Sequence, residues 1–251
     1  MAFTKVQEKT YASPANATDS SVVFDTTPTQ GSLLVACANA DSTRSMSSSG
    51  WTLVESHVSE TGLYMWAKIA GASESVTVTI TGSSASAELW AAEYATPLSA
   101  TLAEVVDQNS DNETTSGSTT NPGTTGTTTQ ADELAVVCVG VNFLPDPGTI
   151  NSWSDGFGET AELTGVGSVN TKLGVGEKLL TEVSTQTCTI TFSTSSSSDK
   201  GACIVTFKAS DVELRQIRPD ADTDVTGWST APIFSKVNDS SDATVVTATL
   251  A

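Results

Sequence analysis

The chain has 251 residues, of which 38% are hydrophobic and 16% charged, and its net charge is −18. So large an acidic excess leaves no basic patch for a phosphate backbone, which argues against nucleic acid as a partner. No apolar run reaches the ~18–20 residues of a membrane span, and residues 1–21 lack the apolar centre of a signal peptide, so no membrane partner and synthesis in a cytoplasm are expected.

Short β-prone runs alternate with turn-rich polar stretches. In chain order, residues 21–24, 32–38, 51–56, 63–70, 75–81 and 89–94 read as strands. Residues 114–129 follow, TTSGSTTNPGTTGTTT, eleven of them Ser or Thr. Such a stretch is either a flexible linker or a polar edge strand with loops, because Thr favours extended backbone. Further strands are expected at 133–141, 172–180, 187–193 and 202–209, and a last one at 243–250. No stretch of ten or more residues has a helical period.

The order of these runs repeats. LLVACANA aligns with LAVVCVGV, which sets Cys37 over Cys138, 101 residues apart. Trp51 then falls over Trp153, Lys68 over Lys178, SVTVTIT over QTCTITF, and Tyr94 over Phe207. Two architectures fit: two tandem sandwiches of about 100 residues, or one sandwich whose halves, 1–100 and 101–209, resemble each other. The single sandwich is preferred, because neither half shows the roughly seven strands of an independent sandwich. Two sheets packed face to face would also bury both apolar faces.

The string TPTQGSLLVACANADST…GWTLVES…LYMWAKIAGASESVTVTIT…LWAAEYA, then ADELAVVCVGV…GEKLL…TFKA, resembles a recurrent large β-sandwich module of tailed-phage virion proteins and bacterial surface proteins. The resemblance covers about residues 22–209 and concerns core positions. The chain departs from it where Tyr94 is followed by Ala95 and Thr96 rather than by a small residue and Gly. It implies an all-β fold, a jelly-roll-like β-sandwich over 1–209 with two pseudo-repeated halves, and an extended C-terminal arm over 210–251. The arm's IRPDADTDVTGWSTAPIFSKVNDSSDATVVT is similar to the opening of a β module common in phage structural proteins. Such modules continue much further than this chain does.

The remaining residues offer little chemistry. Cys37, Cys138, Cys188 and Cys203 are widely spaced within apolar runs, so buried thiols are expected, with one or two disulfides as the alternative. His57, in VESHVSE, reads as a surface residue at a strand end. No G-x-S-x-G, phosphate loop or dinucleotide fingerprint occurs. Glu93, beside Glu88, lacks a located carboxylate partner for glycosidase chemistry, so a structural role is expected. Asp220, Asp222 and Asp224 resemble half of a calcium loop, but Val225 and Ala231 stand where it needs Gly and Glu. No metal, cofactor or catalytic residue is therefore expected. Matched Trp51 and Trp153 suit the core or rim of a sandwich, and Trp66 and Trp90 are expected to pack.

These readings point to a non-enzymatic virion structural protein, a capsid decoration or head fibre, with a tail or neck protein or a glycan-holding receptor-binding module as the alternative. Its expected partners are the major capsid protein or tail and neck proteins, further copies of itself, and, in the alternative, a host glycan. The terminal strand has no evident hairpin partner, and an open apolar edge is usually covered. Addition of that strand to another chain is therefore expected, with Trp228, Phe234, Val245, Val246 and Leu250 as the interaction residues and with pairing to its own sandwich, or completion by a further module of a longer protein, as the alternatives.

Overall fold

The computed structural model describes residues 3–12, 17–40, 43–59, 62–95, 101–142, 148–165, 171–209, 214–216, 234–237 and 243–246. It divides into two units, Met1–Ala209 and Ser210–Ala251.

The first half of the larger unit supplies β1 (Thr4–Ala12), β2 (Ala17–Val23), β3 (Leu33–Ala40), β4 (Arg44–Met46), β5 (Thr52–Val58), β6 (Gly62–Ile69), β7 (Thr77–Ala85) and β8 (Ala87–Ala95). A single helical turn, α1 (Leu102–Val105), then leads into the second half. That half supplies β9 (Val106–Thr114), β10 (Gly117–Thr120), β11 (Glu133–Asn142), β12 (Ile150–Trp153), β13 (Gly158–Thr164), β14 (Thr171–Leu179), β15 (Ile190–Ser196) and β16 (Lys200–Lys208).

The first half forms a five-stranded sheet, β1-β8-β3-β6-β5, and a three-stranded sheet, β2-β7-β4. The second half repeats the plan strand for strand, as β9-β16-β11-β14-β13 and β10-β15-β12. In each half the first strand pairs with the eighth, the second with the seventh and the third with the sixth. That nesting is a rolled-up hairpin, the jelly-roll plan, except that the fifth strand joins the sixth rather than the fourth. The irregularities repeat as well. The first strand of each half carries an extra residue, between Lys5 and Gln7 and opposite Val205–Phe207. The fifth strand is bulged between Leu53 and Glu55 and, at the matching place, between Glu159 and Ala161.

Side chains alternate across a strand, and this alternation builds three cores. Val35 and Cys37 of β3 meet Val136 and Cys138 of β11 in a core between the two five-stranded sheets. Leu34, Ala36 and Ala38 point the other way, toward Val78 and Ile80 of β7. Ala135, Val137 and Val139 point toward Ile190 and Phe192 of β15. The layers therefore run three, five, five and three strands, and both five-stranded sheets are covered on both faces. This is why β3 and β11 are buried along their whole length.

One expectation, the strand count of each half, is corrected here, and one open alternative is decided. Each half holds eight strands in two sheets, so each is a sandwich in its own right, and the pair is fused through a third core. The strands of this unit that were missed are β1, β4, β9, β12 and β13, whose polar residues broke the apolar pattern. Of the two readings of 114–129, the polar edge strand with loops is the one found. Gly117–Thr120 is the edge strand β10, Thr120, Thr125 and Thr128 are buried, and Thr127 bridges to Thr185.

In the smaller unit, β17 (Leu214–Gln216), β18 (Phe234–Val237) and β19 (Ala243–Val246) form an antiparallel sheet in the order β17-β18-β19. The terminal strand therefore has a partner in its own chain, against the expectation from sequence. Phe234 lies opposite Val246, and Ser235 opposite Val245.

Candidate functional site

The polar groups of the body concentrate where the two halves meet. On one rim β1 and β8 approach β13 and β14. Lys5 Nζ bonds Glu8 Oε2 at 2.8 Å and Glu177 Oε1 at 3.1 Å, and it also donates to the Thr160 hydroxyl. Thr160 Oγ1 donates to Glu8 at 2.9 Å, Tyr94 Oη to Glu177 at 2.6 Å, and Trp90 Nε1 to Glu8 at 3.3 Å. Burial pulls the Lys5 ammonium down, but its bonds to Glu8 and Glu177 outweigh that and leave it raised. Burial likewise lifts Glu8, and Lys5 and Thr160 more than reverse the lift. Burial, then the Glu177 charge, drives Tyr94 well above its ordinary value. Lys5 is thus a fixed cation between two anions and Tyr94 a neutral donor. Such a cluster joins the halves.

The opposite rim joins β5 to β9, the counterparts of β13 and β1. His57 Nδ1 lies 2.8 Å from Asp111 Oδ2, and its Nε2 lies 3.5 Å from Glu113 Oε1. Ser59 donates to Glu113, and Asn109 Nδ2 to the Val54 carbonyl at 3.2 Å. His57 stands near the end of β5, as the sequence suggested, but half-buried rather than on the open surface. Its side chain is 15% exposed and bridges the halves.

The loop entering each central strand is held by one carboxylate. Glu93 of β8 is fully buried; it accepts from Thr29 N at 2.7 Å and from Gln7 Nε2 at 2.6 Å. In the second half Thr206 stands where Glu93 would be, and Asp107 of β9 takes over, accepting from Thr129 N at 2.6 Å and Thr129 Oγ1 at 2.8 Å. Glu93 is structural, as its isolation in the sequence implied.

Trp90 and Trp66 are buried, and Trp66 stacks on Tyr64 with centroids 5.2 Å apart. Trp51 and Trp153 are half-buried, each against the outer core of its own half. All four cysteines are buried free thiols. Among the described residues no group of His, Cys, Asp and Glu has the arrangement of a metal site, and no helix is long and apolar enough to cross a membrane.

Of the five expected interaction residues, Phe234 lies on β18 and Val245 and Val246 on β19, whereas Trp228 and Leu250 lie outside the described residues, as do Asp220, Asp222 and Asp224. Sequence reasoning missed Lys5, Glu8, Thr160 and Glu177. The only signal of Lys5, Glu8 and Glu177 was charge, which by itself reads as a solvated face, and Thr160 gave none. No family model, curated protein or solved structure matches the chain.

Proposed function

We propose that the chain is a non-enzymatic structural protein of a tailed-phage virion, placed on the capsid as a decoration or head fibre, with a tail or neck location second. The observation that carries this reading is the four-layer body. Two eight-stranded sandwiches are fused through the whole faces of their inner sheets, and the ionisable groups at both rims are spent in joining them. Such a body is a rigid spacer. The module resemblance in the sequence supplies the virion context.

The 210–251 unit is the docking element of this proposal. Its three described strands have three or four residues each, shorter than the 5–6 of an ordinary strand. A further surface, from a second copy or from a capsid or tail protein, would complete it. A glycan-holding role has less support, since Trp66 and Trp90 are core residues and Trp51 and Trp153 pack on their own sandwiches.

Mass spectrometry of purified particles separated into heads and tails tests the proposal. Recovery with heads in repeated copies supports decoration, and recovery with tails supports the second location. Absence from particles overturns the reading.

A further inference from the structure

The two halves meet about a pseudo-two-fold axis. Val35 and Cys37 share the fused core with Val136 and Cys138, which hold the matching positions of the repeat. The rims are reciprocal. β1 approaches β13 on one side, and on the other β9, the counterpart of β1, approaches β5, the counterpart of β13.

The match extends to single contacts. With Tyr94 set over Phe207, strand register sets Lys5 over Val106 and Glu8 over Asn109. With Lys68 set over Lys178, it sets Val54 over Thr160 and His57 over Leu163, and Ala67 falls over Glu177. On one rim Thr160 Oγ1 donates to Glu8 at 2.9 Å. On the other, Asn109 Nδ2 donates to the Val54 carbonyl at 3.2 Å. The same two positions are thus bonded across the joint on both sides. This is the isologous geometry of a homodimer, in which one surface meets a copy of itself.

The side chains on that surface oppose self-pairing. Lys5 Nζ meets Glu177 Oε1 at 3.1 Å, and Tyr94 Oη donates to the same oxygen at 2.6 Å. The matching places on the other rim hold Val106, Ala67 and Phe207, all packed in the fused core. His57 Nδ1 lies 2.8 Å from Asp111 Oδ2, whereas its counterpart Leu163 packs on that core. Two second halves brought together would set Glu177 against Val106 and Phe207, and Asp111 beside Leu163. Two first halves would set Lys5 against Ala67 and leave His57 without Asp111. Each pairing takes charges out of water and returns no opposite charge. Asn39 and Gly140 act in the same sense. An added Cβ at 140 would lie 2.9 Å from Asn39 Cγ, so unlike halves place the amide where glycine leaves room, and like halves set amide on amide.

We propose that the joint is a pairing surface specific for the unlike half. The inner face of residues 1–100 accepts the inner face of 101–209, from its own chain or from a second copy, and rejects its own kind. Lys5, Asn39 and His57 set the choice on one side, and Glu177, Gly140 and Asp111 on the other. A second copy of the chain is therefore a partner that this surface fits, by exchange of halves.

The test uses the whole chain, with a protease site placed within residues 96–100 and cut after folding. Ordinary and isotopically heavy nicked protein are mixed in urea, the urea is removed, and native mass spectrometry reads which pieces associate. Unlike pairs with mixed labels are expected, and like pairs should be at least about tenfold rarer. Pairs in the proportion that chance gives would overturn the proposal, as would a failure of the pieces to pair at all. Charge exchange separates recognition from mere packing. Glu177→Lys in one piece should lower recovery of the unlike pair about tenfold, and Lys5→Glu in the other should restore it. Loss without restoration would show that this ion pair does not set the choice, and would also overturn it.

Discussion

Asn39 fills the space that the missing side chain of Gly140 leaves. The two residues hold matching positions on β3 and β11, one on each side of the fused core. Asn39 Nδ2 crosses to the second half and donates to the carbonyls of Val141 and Lys172 at 3.2 and 3.0 Å, and to Asn142 Oδ1 at 3.3 Å. A Cβ on Gly140 would meet Asn39 Cγ at 2.9 Å and Leu63 Cδ1 at 3.1 Å. The duplicated halves thus fit because they differ at this point.

Gly140→Ala should cost about 1–3 kcal/mol, because the pinned amide cannot step aside. In an Asn39→Ala background the same change should cost much less, giving a coupling of about 1 kcal/mol or more in a denaturant double-mutant cycle. Additive effects would show that the two residues do not share this space.

Trp153 and Gly176 make the second such pair. The indole lies over β14, where a Cβ on Gly176 would meet its Cε3 at 2.8 Å and its Cζ3 at 3.0 Å. In the first half the matching position is Trp66, and the space is filled from the strand itself. Gly176→Ala should displace Trp153, shift the fluorescence emission and destabilise by about 1–3 kcal/mol. Gly158→Ala, which meets nothing within 4 Å, should change stability by less than about 0.5 kcal/mol. Equal effects at the two glycines would contradict this packing.

Much of this architecture was legible where the period was clean. Val78 and Ile80 alternate with Thr on β7, as Cys188, Ile190 and Phe192 do up to and along β15, and all five are buried. The pairing of the halves was legible in the Cys37–Cys138 and Lys68–Lys178 matches. The fused core was not. LLVACANA and LAVVCVGV are apolar at nearly every position, the mark of a strand covered on both faces, but period alone does not say what covers each face. The edge strands TKVQEKTYA and VDQNSDNET were illegible for the opposite reason. Their charged residues serve the rims between the halves, a role that appears only once both halves are folded.

Ile190→Ala should destabilise by about 2–5 kcal/mol, since the residue is fully buried between the outer sheet and β11. Equilibrium unfolding in urea checks this. An unchanged midpoint would place Ile190 on the solvent face.

The thiols should be inert in the folded chain. Burial holds Cys138 well above its ordinary value and lifts Cys188 to about 11, while Cys203 is raised first by its bond to Cys138 and then by burial. The thiolate is the reactive form. An alkylating reagent at mildly alkaline pH should leave all four cysteines unlabelled until denaturant is added, as read by intact mass. Labelling of native protein would show that the cores open readily.

The fusion of two sandwiches into one body is tested most directly by calorimetry of the full chain. A shared core between the five-stranded sheets predicts that both halves melt in one main transition, with calorimetric and van't Hoff enthalpies equal. Two separate transitions of comparable size would contradict it, and would show two sandwiches that touch but fold independently.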